Sequence, residues 1–165
     1  MQGANQDDGK IRVFVVHQSR GNFATYGPRV LDRISKFVRK YDLDADPGML
    51  VAHVSHQMYV ENPPMIVIAA VLGDRMVGHG LAVLETYYGT VSVVVSQIEI
   101  DRDAQAGRSQ AIRDGMDIVS EWARAAGASQ YRVWARNSRM ADVFSQLGFL
   151  PNGRVLMTKD LSKES

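Results

Sequence analysis

The sequence has no cysteine, so disulfides and thiolate chemistry are both excluded. That lack suits a reducing compartment. No charge of one sign dominates: 19 Lys and Arg stand against 18 Asp and Glu, a formal net charge of +1. Such a balance gives no electrostatic reason to expect nucleic acid or a membrane surface as partner. Long hydrophobic runs are missing as well. The longest, residues 66–72 and 91–95, fall far short of the roughly 20 residues a membrane-spanning helix needs. Residues 1–9 are polar and acidic, without the basic and apolar regions of a signal peptide. There is no internal repeat, low-complexity stretch or dividing linker. These absences lead to the expectation of a cytoplasmic protein with no nucleic acid and no membrane among its partners.

What is present is an ordinary globular composition, 45% hydrophobic and 22% charged over 165 residues. The length fits one domain, expected over residues 10–161, with polar tails at 1–9 and 162–165. Residues 11–16 are β-branched and read as a strand. Gly27-Pro28 then opens a helix, with Leu31, Ile34, Phe37, Val38 and Tyr41 along one face. Asp46-Pro47 begins a second helix, capped by the aspartate and presenting Leu50, Val54 and Met58. Residues 65–72 and 75–85 flank Gly73-Asp74, a pair suited to a type II′ hairpin. Tyr88-Gly89-Thr90 is another turn, leading into residues 91–101, so three strands follow one another as antiparallel neighbours. Ile112, Met116, Val119, Ala123 and Ala126 mark a helix ended by Gly127. Residues 131–136 form a strand, 139–147 a helix closed by Gly148, and 154–161 a final strand. The order is β-αα-βββ-α-β-α-β, an α/β (α+β) fold with a mixed, mostly antiparallel sheet flanked by helices. A right-handed crossover makes the strands at 91–101 and 131–136 parallel neighbours.

That order resembles the GCN5-related N-acetyltransferase (GNAT) superfamily over residues 11–161. Leu72-Gly73-Asp74-Arg75-Met76-Val77-Gly78 resembles the family's second hairpin. Asn137, then Val143-Phe144 and Leu147-Gly148-Phe149, resembles its Asn, short helix, Leu-Gly-Phe signature. Leu156-Met157-Thr158-Lys159-Asp160-Leu161 is similar to its closing strand. The resemblance implies acetyl-CoA as cofactor and an amine as acceptor. It also implies that the strand carrying Ile98 and Ile100 pairs with the pantetheine arm. A pyrophosphate cradle would form between the fourth strand and the following helix, where the family has Gln/Arg-x-x-Gly-x-Gly/Ala.

This chain departs from that pattern. Starting the motif at Gln105 puts Arg108 and Gln110 on the small positions. A shift of one residue puts Gly107 and Ser109 there, with Ala104 in place of Gln or Arg. A cradle from Gly107 and Ser109, with an arginine on the phosphates, and a plain strand-to-helix turn with solvated arginines both remain open. Where many members carry a proton-donating tyrosine, this chain has Phe144. The expected base is Glu99, on one strand face with Gln97 and Asp101, its pKa raised between Ile98 and Ile100. The plainer reading is a solvent-facing or salt-bridged glutamate. The residues expected to hold cofactor are thus Ile98, Ile100, Gln105, Gly107, Arg108, Ser109, Gln110 and Asn137.

His53 and His56 lie three apart on a helix with no third ligand nearby, so no metal site is expected. His79, between Gly78 and Gly80 within a strand, marks a bulge or a close approach by another group. Tyr87 and Tyr88 form an aromatic patch before a turn, suited to a protein contact or a substrate rim. Two functions follow. One is an acetyl-CoA-dependent N-acetyltransferase acting on a small amine or a protein amino group. The other is a catalytically inactive GNAT-fold subunit of a macromolecular, for instance viral, assembly, with a protein partner or its own copies.

Overall fold

In the computed structural model, which describes residues 9–41, 44–135 and 137–151, β1 (Ile11–Val15) is the edge of a five-stranded sheet. Next to it lies β2 (Met65–Leu72), eight apolar residues of which seven are buried, as a strand covered on both faces requires. The order continues with β3 (Arg75–Tyr87), β4 (Thr90–Ile100) and β5 (Gln130–Val133). Every neighbouring pair is antiparallel except β4 and β5, which are parallel. Helices α1 (Phe23–Lys40) and α2 (Pro47–Gln57) cover one face, burying Val30, Ile34, Val54 and Met58 against Val67, Ala69, Val71 and Leu81. Helix α3 (Arg108–Ala125) covers the other, with Ala111, Val119 and Ala123 against Ile66, Ile68, Ala70 and Val93. The expected element order holds as far as α4 (Ser138–Gln146). The strand expected at 154–161 lies outside the described residues.

The chain divides into two compact units, Met1–Trp134 and Ala135–Ser165. In the second, Asn137 caps α4 by accepting the Met140 N–H at 2.9 Å, and Phe144 packs edge-on to Phe149. Gly148 takes φ +89°, ending the helix as the Leu-Gly-Phe segment implies.

Two local expectations are corrected or sharpened. Helix α1 begins at Phe23, not at Gly27-Pro28, so Pro28 lies inside it. The chain is held before that point: Asn22 accepts the His17 N–H and donates to the Val15 carbonyl. The rings of Phe23 and Tyr26 then meet Tyr59 and Phe14 edge-on. This packing sustains a first turn against the one helical hydrogen bond a proline removes. Asp46 caps α2 as expected, accepting from Met49 N–H at 2.9 Å. At the β3–β4 hairpin both turn residues, Tyr88 and Gly89, have positive φ, and Tyr87 pairs with Thr90.

Of the two glycines around His79, Gly78 reports a close approach, whereas a Cβ on Gly80 would meet Ile68 Cβ at an ordinary 3.7 Å. A Cβ on Gly78 would lie 2.7 Å from the Glu99 carbonyl oxygen and 3.0 Å from Ile100 Cγ1. Gly115 is different: it lines an apolar cavity of about 40 Å³ under α3. A Cβ there would meet Val13 Cγ1 at 3.8 Å, an ordinary contact. Gly115→Ala therefore stabilises the fold by about 1 kcal/mol through helix propensity, a rise in Tm of about 2–4 °C. Gly78→Ala lowers Tm because backbone must move. Thermal denaturation of the two variants checks both signs.

Candidate functional site

Strand β4 pairs with β3 along its whole length, from Thr90 to Ile100, but with β5 only at Ser92–Val95. A register shift follows at once: Leu81 faces Gln97 while Ala82 faces Val95, leaving Ser96 as the extra residue of a bulge. Beyond it, among the described residues, no strand pairs with the β5 side of β4. The Asp101 N–H donates to the Val77 carbonyl at 2.8 Å, on the β3 side. In an antiparallel ladder this direction alternates, so Ile98 and Ile100 turn their peptide groups away from β3. Their side chains point to the α3 face, in the clusters with Val119 and with Ala111.

After β4 the chain runs through exposed Asp103 and Gln105 and buried Ala104 to Gly107, the N-cap of α3. Gly107 has φ +83°, where a side chain is strained, so this is the position that demands glycine. The helix start has no side-chain cap and no acidic residue in its first turn. The Arg108 N–H reaches the Gln105 carbonyl at 3.3 Å, and the Ala111 N–H the Gly107 carbonyl. The amides of Ser109 and Gln110 have no such partner among the described residues. Free N–H groups and the positive end of a helix together make an anion seat. The Gln110 side chain is occupied by Asp114 at 2.7 Å. Asn137 belongs to the second unit, where its side-chain oxygen serves as the α4 cap.

On the α1 face the three expected polar residues of β4 are each engaged. Gln97 is buried and its Oε1 lies 2.9 Å from His79 Nε2. Glu99 meets Lys40 in a close ion pair, lies 3.8 Å from Arg33, and accepts from the Tyr41 hydroxyl at 3.4 Å. Asp101 receives two hydrogen bonds from Arg33, at 2.7 and 3.3 Å. Burial pushes the Glu99 carboxyl up, but the hydrogen bond and charge of Lys40, with Arg33 behind, bring it below the ordinary glutamate range. The raised pKa expected from its isoleucine neighbours is thus corrected: the isoleucines face the other side of the sheet. The salt-bridged alternative describes the residue. The sequence reading missed Lys40 and Arg33, although Arg33, Phe37 and Lys40 recur at helical spacing beside the apolar stripe.

His53 and His56 are exposed on α2, and no group of three metal-ligating side chains occurs among the described residues. Tyr87 and Tyr88 stand exposed at the hairpin tip, their rings in edge contact. No helix among the described residues is long and apolar enough to cross a membrane.

No protein-family model matches the sequence. No curated protein matches it. Solved structures do. A predicted acetyltransferase from Clostridium acetobutylicum, solved with acetyl-CoA, superposes with TM-score 0.68 at 10% identity, over 94% of this chain and 99% of that one. AAC(6′)-Iy, solved with a CoA-S-monomethyl-acetylneamine bisubstrate analogue, gives 0.65 at 12%, over 91% and 97%. The chain has the GNAT fold. An aminoglycoside acetyltransferase from an uncultured soil metagenomic sample, in complex with sisomicin, matches at 0.60 and 12%, over 94% and 97%. At such identities the shared GNAT architecture is what the likeness establishes.

His79 supplies a test of the burial described for this site. Burial lowers its pKa from 6.5 to about 4, against a smaller upward pull from the Gln97 hydrogen bond. In the unfolded chain it titrates near 6.5, so the folded state is fully favoured above that pH. Stability then declines as pH falls and the loss is complete below about 4, on the order of 3 kcal/mol. Urea unfolding between pH 4 and 8 should show this slope, and His79→Leu should flatten it while lowering stability at neutral pH, where Gln97 loses its partner.

Proposed function

We propose that this protein is an acetyl-CoA-dependent N-acetyltransferase acting on an amine. The observation that carries the reading is the sequence of two backbone features along one strand and its exit. Strand β4 offers the peptide groups of Ile98 and Ile100 on a side that β5 has left. Seven residues beyond Ile100, a left-handed glycine opens a helix whose first amides are uncapped. An extended polyamide fits the first as an added strand fits a sheet edge, and a pyrophosphate fits the second. The residues present therefore suit acetyl-CoA. Ile98 and Ile100 would hold the pantetheine arm, and Gly107, Ser109 and Gln110 would receive the phosphates on their backbone, with Arg108 and Gln105 beside them. Bound acetyl-CoA supplies an activated acyl thioester.

In this reading Glu99 is the proton acceptor for the amine. Its ion pairs with Lys40 and Arg33 keep it ionised at neutral pH, the form that can accept a proton. The same pairing makes it a weak base, acting through the proximity of the amine rather than through a matched pKa. Neighbours solved with acetyl-CoA and with a CoA bisubstrate analogue support the cofactor assignment.

A second reading rests on Phe144, which is buried and has no hydroxyl to protonate a leaving thiolate. It takes the chain as a fold retained for interaction without catalysis.

Calorimetric titration with acetyl-CoA separates the two. The transferase reading expects micromolar binding, abolished by Gly107→Glu, which strains the cap and places a carboxylate at the anion seat. Glu99→Gln should keep that binding and reduce amine acetylation by about 10²–10⁴-fold. No heat at millimolar acetyl-CoA would remove this reading and leave the interaction subunit.

A further inference from the structure

A cleft of about 370 Å³ opens between α1 and the start of β3 and end of β4. Its size suits a small molecule. Glu99 and Asp101 line it from β4, and Arg29, Lys36 and Arg75 from α1 and β3. We propose that this cleft binds an amino acid, a small amine that also carries a carboxylate, as the acyl acceptor. The word acceptor rests on the transferase reading above; the binding itself does not.

Five cationic and three acidic side chains line the cleft, interleaved and not of one sign. A polycation would meet Arg29, Lys36 and Arg75, and a polyanion would meet Asp32, Glu99 and Asp101. A zwitterion satisfies both sets, with its ammonium beside the β4 carboxylates and its carboxylate among the cations.

The cationic side also has capacity to spare. Arg33 spends its terminal nitrogens on Asp101, yet its Nε–H is buried with no hydrogen-bond partner among the described residues. An unsatisfied donor on a charged group is costly. Arg29 donates to the Asp74 carbonyl at 2.7 Å and has no carboxylate partner among the described residues. The pairs Lys36–Asp32 and Arg75–Asp103 are more than half exposed on both sides. Pairs of that kind are weak, so their cations can turn to a ligand carboxylate at little cost.

The amine end follows from position. Glu99 is the expected proton acceptor, and it lines the same cleft as the cations. A ligand anchored by its carboxylate on Arg29 and Arg75 would present its amine toward β4. Anchoring a non-reacting group in this way orients the reacting one.

The test uses the whole protein without acetyl-CoA, at low salt. It is titrated by calorimetry with L-alanine, L-glutamate and L-lysine, and with putrescine and glutarate as amine-only and carboxylate-only probes. At least one amino acid should bind about tenfold more tightly than either control, as loss of a charge-assisted contact implies. The Arg29→Ala, Arg75→Ala double variant, both sites exposed, should weaken that binding about tenfold with an unchanged circular dichroism spectrum. Putrescine or glutarate binding as tightly as the best amino acid would overturn the inference. So would full affinity in the double variant, or no binding by any amino acid at millimolar concentration. Amino-acid binding without acetyl-CoA binding would uphold the cleft and remove the transferase; acetyl-CoA binding with a preference for putrescine would do the reverse.

Discussion

Strand β4 pairs with β3 at ten residues and with β5 at four, and the candidate site follows from that inequality. From Ser92 to Val95 the strand is an interior member of the sheet, paired on both sides and buried. After the bulge at Ser96 it keeps one partner and its outward peptide groups lose theirs. An unpaired strand edge is a liability unless something covers it. Here the open stretch leads within seven residues to a helix with no side-chain cap, so two sets of backbone donors without partners among the described residues follow one another along one path. A binding reading accounts for both sets together. A purely structural reading needs a separate reason for each.

The opposite face of the same stretch is electrostatic. Alternation places Gln97, Glu99 and Asp101 toward α1 while Ile98 and Ile100 go to α3. The glycines of β3 let the two strands approach closely at Gly78, where a methyl group would strike the Glu99 carbonyl. His79 thus lies buried behind the ion pairs, opposite Glu99 in register and edge-on to Phe37. One wall carries charge, backed by a buried histidine and an apolar layer. Charges at such a boundary are less screened than fully exposed ones, which gives the cleft its electrostatic character.

Much of this was legible in the residues. The β-branched runs, the Gly73-Asp74 turn, the Asp46-Pro47 cap and the glycine stops at Gly127 and Gly148 all report local conformation, and local chemistry fixes them. The right-handed crossover rule gave the parallel β4–β5 pair. What sequence could not give was partnership across elements. Glu99 between two isoleucines reads as a desolvated base, because the strand shows its neighbours in sequence and hides α1. Lys40, 59 residues away, reverses the sign of the shift. The start of α1 was misplaced for a similar reason: Pro28 is a local signal, whereas the contacts of Phe23 and Tyr26 with Tyr59 and Phe14 are tertiary. Gly107 and Ser109 sit poorly on the family's motif, yet the backbone at Gly107 adopts the conformation that such a glycine serves.

The central claim is that the open edge of β4 and the first turn of α3 form one ligand-binding path. Amide hydrogen exchange, followed by NMR with and without coenzyme A, tests it at the atoms concerned. Slowed exchange at Ile98, Ile100, Ser109 and Gln110 together, with Val93 and Val94 unchanged, is the result this account predicts. Exchange at those four amides that stays the same at millimolar coenzyme A, or protection confined to the α1 cleft, would contradict it.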